Sequence, residues 1–156
     1  MGDSDSERVQ LRIGPWIVRS NRQRTCSVYE VVEVSGARRC GCDMCLNFDR
    51  HRKRGEALTP PAVNLLAELG VDPGKEAETV HLGPDQEGHL YEWWYHAIGE
   101  VVDGPEPKEP VALGEGLSVM VKDGRAVAHE GFENFPLIEV SFFRHLPWAL
   151  TTPEPQ

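Results

Sequence analysis

Three of the chain's four cysteines fall within six residues, Cys40-Gly41-Cys42-Asp43-Met44-Cys45, and the fourth, Cys26, lies fourteen positions upstream. No other stretch constrains the backbone as tightly, because thiols that meet on one ion fix the turns between them. Cys42 and Cys45 have the two-residue spacing of a metal knuckle. Cys40 lies on the same face of an extended stretch as Cys42. A strand from Cys26 to Val34 that turns at Ser35-Gly36 would return through Ala37 to Cys40 and set Cys26 opposite the region of Cys45. The expectation is therefore one tetrahedral Zn²⁺ held by Cys26, Cys40, Cys42 and Cys45, with a structural role since all four positions are filled by protein. His51 and His96 are rival fourth ligands. A Cys-x-x-Cys pair also fits redox chemistry, although the alternating α/β setting of that motif is missing here. Some of the thiols could instead be small buried hydrophobes.

At 156 residues the chain suits a single domain with its own core. We expect a tail over residues 1–8, one zinc-stabilised domain over 9–152 and a second tail over 153–156. No apolar run approaches the roughly 20 residues of a membrane span. The N-terminal Met-Gly-Asp-Ser-Asp-Ser-Glu is acidic, the opposite of a secretory signal. Clustered thiols without an export signal suggest a reducing, cytoplasmic setting.

The formal charge of −9 argues against general nucleic-acid binding. That average conceals a split: residues 1–54 carry 11 Lys and Arg against 7 Asp and Glu, and residues 55–156 carry 5 against 18. The basic part holds the cysteines. Arg50, Arg52 and Arg54 follow the knuckle and are expected to edge a surface for an acidic partner, possibly with Arg38 and Arg39. The plainer alternatives are that these residues offset thiolate charge or pair with the chain's own acids.

Alternating Val9, Leu11 and Ile13 predict a strand ending at Gly14-Pro15, resumed from Trp16 to Arg19. Ser20 to Arg24 reads as a polar connection. Asn47 to Gly55 predicts a short helix. A clearer helix follows Thr59, with Pro60 and Pro61 in its first turn, Val63, Leu65, Leu66 and Leu69 as its buried stripe, and Gly70 as its stop. Strands are expected over Glu78–Leu82, Leu90–Val102 and Leu137–Phe143, with Ile138, Val140 and Phe142 on one face. Asp103 to Gly116 reads as a mobile acidic loop. The Asp123-Gly124 pair predicts a hairpin between Leu117–Val121 and Ala126–Ala128. Together these elements give an α+β fold, a mainly antiparallel sheet with one principal helix and a zinc knuckle.

On the long strand, Tyr91, Trp93, Tyr95, Ala97 and Val101 form the expected core face. The opposite face lines up Glu92, Trp94, His96 and Glu100, a carboxylate–imidazole row suited to proton transfer. An uncovered sheet face with ordinary charges is the plainer reading of that row. His81, His89, His129 and His145 read as scattered single residues. No complete phosphate loop, nucleophile elbow or zinc-protease motif occurs.

Cys40-x-Cys-x-x-Cys45 with Leu46-Asn47-Phe48, then Leu69-Gly70-Val71-Asp72-Pro73, Tyr95-His96 with Gly99, and Pro147-Trp148, resembles a family of small bacterial proteins of unknown function. The resemblance implies that the knuckle belongs to the fold and supplies no activity. The expected function is a cytosolic zinc-binding module for a protein or other acidic partner. The alternative is a small metal-dependent, hydrolase-like enzyme using His96 with Glu92 or Glu100.

Overall fold

The computed structural model describes residues 8–156, so the tail expected at the N-terminus lies, but for Arg8, outside the described residues. Arg8 already belongs to β1 (Arg8–Ile13), which turns through Gly14 at φ 58° into the antiparallel β2 (Trp16–Asn21). Helices α1 (Arg22–Val31), α2 (Gly36–Cys40), α3 (Asp43–Lys53) and α4 (Pro60–Leu69) follow in succession. The chain then forms β3 (Glu78–Asp85), β4 (Gly88–Asp103), β5 (Val111–Gly114), β6 (Leu117–Asp123) and β7 (Leu137–Leu146). The seven strands make one antiparallel sheet in the order β1-β2-β4-β7-β6-β5, with β3 also on β4. This is the expected α+β class, with three helices of ten or eleven residues in place of one principal helix.

The sheet is organised by β4. Tyr91, Trp93, Tyr95 and Ala97 are fully buried on one face, as the alternation predicts. The Phe48 ring of α3 lies 4.9 Å from Trp93 and 5.7 Å from Tyr91, which ties the cysteine-bearing helix to the core. Along one edge β4 has two partners in turn, β3 up to Trp94 and β2 from Gly99. Gly99 does not interrupt the strand; a Cβ there would lie 2.2 Å from the Arg19 carbonyl, so only glycine admits β2 this closely.

The gap between those two partners explains the main departure from the predicted elements. Cys26 to Val34 is not a strand: α1 runs from Arg22 to Val31, capped by the Asn21 side chain, which accepts from the Arg24 amide. Its buried Thr25, Val28 and Tyr29 recur at helical spacing. The Ile98 amide donates to the Thr25 hydroxyl, and the Tyr29 hydroxyl bonds His96, so two side chains satisfy the edge that no strand covers. Tertiary hydrogen bonding thus overrides the β propensity of the local valines. Likewise Ser35 caps a helix instead of forming a hairpin tip, and Ala37–Cys40 is helical.

In α4 the buried positions are Ala62, Leu66 and Leu69; Leu65 is partly buried and Val63 faces outward. The expected acidic loop contains β5, and Pro105 accepts a hydrogen bond from the Trp16 indole. The Asp123-Gly124 hairpin is absent. β6 pairs instead with β5 and β7, the Gly124 amide donates to Leu137, and Arg125 binds the carbonyls of Phe132 and Phe135. The segment 124–136 so held folds over the His96 side of the sheet. At the other end Glu154 accepts from His89 at 2.7 Å, so the expected C-terminal tail is anchored there.

Candidate metal centre

The cysteines sit where α2 stops and α3 starts. The Gly36 amide donates to the Glu76 carbonyl, and a Cβ on Gly36 would be 2.4 Å from the Ala77 carbonyl, so α2 rests directly on backbone leading into β3. Gly41 then adopts the left-handed conformation, φ 70°, and closes α2 with a bond from its amide to Ala37. Cys42 occupies the N-cap of α3, where its side chain makes no capping bond. Cys45 lies in the first turn of that helix. These two short helices bring the sulfurs of Cys40, Cys42 and Cys45 within 4.8 Å of one another. Sulfurs bound tetrahedrally at about 2.3 Å from zinc lie roughly 3.8 Å apart, so the three are close to ligating positions.

The cluster is graded in exposure: Cys40 is exposed, Cys42 half-buried and Cys45 buried, with its sulfur 3.9 Å from the Thr79 carbonyl. The Cys40 thiol is held below its ordinary pKa, first by the backbone N–H of Cys42 and then by side-chain hydrogen bonds from Cys42 and Cys45, with burial and Glu78 opposing. Burial pushes the Cys45 thiol up, and its bonds to Cys42 and Cys40 add to that. Without a cation, then, the outer sulfur carries the negative charge most readily and the inner one resists it. A bound cation would offset that resistance.

Cys26 is not in the group. It lies on α1, where it lines a separate cavity of about 480 Å³ with Arg22, Tyr29, Asp72 and Lys75. The four-sulfur set required a hairpin, and with α1 helical the register that would have delivered Cys26 does not exist. The two histidines proposed in its place are also committed elsewhere. His51 is buried, its Nδ1 2.8 Å from Glu56 and its Nε2 2.7 Å from the Pro147 carbonyl. His96 is fully buried with Nε2 3.2 Å from Glu139.

His96 also defines what becomes of the strand row. Its carboxylate partner is Glu139 of β7, directly opposite in register, and not Glu92 or Glu100. Burial alone would raise the Glu139 carboxyl, yet the bonds from His96 and the Ala126 amide, with the Lys122 charge, keep it below the usual range. Burial raises the half-buried Glu92 carboxyl, and Lys122 opposes it. Glu100 is exposed and faces Arg8 at 4.0 Å. Trp94 is half-buried and donates its indole N–H to Ala126. Glu139 was open to inference, since Ile138 and Val140 turn inward on the other face, but its partner depended on a register that only the folded sheet supplies.

The arginines after the knuckle divide. Arg50 and Arg54 are exposed, and Arg50 donates to the Ala149 carbonyl. Arg52 is largely buried, pairing with Asp49 and lying 3.5 Å from the fully buried Glu76. It is a structural cation, and its expected place on a partner surface is corrected accordingly. Arg38 and Arg39 are exposed beside Cys40. Two of the single histidines form a chain, His81 Nε2 to His89 Nδ1 at 2.9 Å and His89 onward to Glu154. A second group of potential ligands, Asp85, Glu87 and His145, lies at the exposed β3–β4 turn.

In comparisons with known proteins, no family model, no curated protein and no solved structure matches the chain. The motif resemblance therefore carries no argument about the site. Among the described residues no helix is long and apolar enough to cross a membrane.

Proposed function

We propose that the protein is a zinc-binding module in which Cys40, Cys42 and Cys45 hold one Zn²⁺ and the surface around Cys40 engages an acidic partner. The observation that carries this reading is the convergence of three thiols at a helix–helix corner, one of them exposed. Three soft donors suit zinc better than oxygen-seeking cations. The ion would tie five-residue α2 to α3 and β3, and a helix that short is not stable in water alone. With three protein sulfurs, the fourth coordination position falls to water or to a donor from a partner. Exposed Arg38 and Arg39 flank that position, and Arg50 and Arg54 extend the positive surface beyond α3. The alternative enzyme reading relied on His96, whose enclosed ring gives a substrate no approach.

The test is elemental analysis of protein produced without added zinc, with thiol counting on the native fold. About one zinc per chain is expected, with all three clustered thiols protected from modification until a chelator is added. Metal-free protein whose clustered thiols react freely would overturn the reading.

A further inference from the structure

A second site is built at the opposite half of β4 from the cysteines, where β2 leads into α1. A cavity of about 300 Å³ opens there, within the size range of small-ligand sites. Arg8, Arg19 and Arg24 line it against a single carboxylate, Glu100. Arg8 approaches Glu100 at 4.0 Å, and the Arg24 guanidinium stands 5.6 Å over the Phe135 ring. Arg19 forms no ion pair among the described residues.

The helix beside this cavity is charged in an unusual sense. The N-terminus of a helix is its positive end, where acidic residues are favoured. In α1 the first turn contains no acid and holds Arg22 and Arg24. Stacking two cations on that end raises the local potential, a cost that an anion in the cavity would reverse.

An independent observation comes from Asn21, the N-cap residue, which lines the same cavity. It is only 2% exposed; its Oδ1 is used by the Arg24 amide, while its Nδ2 has no hydrogen-bond partner among the described residues. A buried amide N–H₂ left without an acceptor is uncommon and costs about 1–3 kcal/mol. An oxyanion in the cavity is the acceptor it lacks.

We propose that this cavity binds a small organic phosphate, with the phosphoryl oxygens on Arg19, Arg24 and Asn21 and the organic part against Phe135 and Pro136. Phosphate is favoured over carboxylate by charge: three guanidiniums against one Glu leave an excess of two, matched by the −1.5 to −2 that a phosphate monoester carries near neutral pH. Guanidinium forks also fit phosphoryl oxygens in pairs.

The probe is phenyl phosphate, titrated at low salt into the full chain and followed by backbone amide NMR and calorimetry, with benzoate as the carboxylate control. Phenyl phosphate should shift the amides of Arg22, Gln23 and Arg24 and bind more tightly than benzoate. Arg19→Gln should weaken it about tenfold or more, the value of one charge-assisted bond. Asn21→Asp keeps a capping oxygen for α1 but replaces the donor with a negative charge, and should abolish binding while preserving the helix. No binding at millimolar phenyl phosphate, equal affinity for benzoate, or undiminished binding in Arg19→Gln would each overturn the proposal. None of these outcomes bears on the zinc reading, since the two sites share no residue.

Discussion

The Tyr29 hydroxyl is bonded twice to the backbone of His96, donating to its carbonyl at 2.8 Å and accepting from its N–H at 3.1 Å. One phenol thus does for His96 what a neighbouring strand would do. Thr25 repeats the device two residues along, at Ile98. Burial pushes the Tyr29 hydroxyl well above its ordinary pKa, so it stays protonated and can donate. Helix α1 therefore serves as a substitute strand between β3 and β2, and its N-terminal turn is held beside the arginine-lined cavity as a result.

Tyr29→Phe should be costly for so small a change. It leaves a buried N–H and a buried carbonyl without partners while hardly altering the packing against Phe132, whose ring centroid is 5.6 Å away. The expected loss is about 1–3 kcal/mol, seen as a lower urea midpoint with an unchanged slope. A variant as stable as the parent would show that water or a backbone shift replaces the hydroxyl.

Arginines in the run after the knuckle should differ sharply in stability effect. Arg52→Ala removes the cation facing buried Glu76, whose carboxyl is already raised by burial with Arg52 as the main opposing influence. Breaking a buried pair from one side typically costs about 3–5 kcal/mol. Arg50→Ala and Arg54→Ala lie on exposed positions, where about 0–1 kcal/mol is usual. Three separate thermal melts decide this; equal effects at all three positions would contradict the internal role given to Arg52.

How far the sequence could be read depended on whether a signal was local. The alternation in β4 and β7, the Pro60-Pro61 start and Gly70 stop of α4, and the Gly14-Pro15 turn all act within a few residues, and each element formed where expected. Cys26–Val34 failed because its β-branched residues favour a strand locally, while the uncovered edge at residues 95–98 of β4 needed hydroxyls at helical spacing. That requirement is set by residues about 70 positions away. The same error removed Cys26 from the predicted ligands. Cys40, Cys42 and Cys45 were legible because their convergence needs only one left-handed glycine and one helix start. Asp123-Gly124 misled in the opposite way: the turn chemistry was suitable, but β7 took the pairing edge of β6.

Stability should decline in the mildly acidic range partly through His129. This ring is 6% exposed; its Nε2 donates to the Lys75 carbonyl and its Nδ1 faces Arg39 at 3.4 Å. Burial lowers its pKa, and the charges of Arg39 and His96 push the same way. The neutral form is thus favoured in the fold. The contribution is complete above the unfolded-state pKa of about 6.5 and is lost as pH falls below it, at no more than about 1.4 kcal/mol per pH unit. Urea unfolding at pH 7.5 and pH 5.5 should show a larger drop for the parent than for His129→Gln, which retains a donor for Lys75. Identical drops would assign the acid sensitivity to other groups.

Metal retention should separate ligand, support and bystander at the cysteine corner. Cys42→Ser removes one of three converging sulfurs and should release zinc readily to a chelator. Cys26→Ser changes a side chain on α1 that faces a different cavity and should keep the parent's metal content. Gly36→Ala removes no ligand, but its new methyl would meet the Ala77 carbonyl at 2.4 Å, so α2 must move and carry Cys40 with it. Its zinc should be present yet lost faster than the parent's, an intermediate result that a simple ligand count does not predict. Chelator competition followed with a zinc-sensitive dye ranks the three variants in one experiment. Loss of zinc in Cys26→Ser equal to that in Cys42→Ser would require α1 to rearrange when metal binds, and would restore the four-sulfur centre.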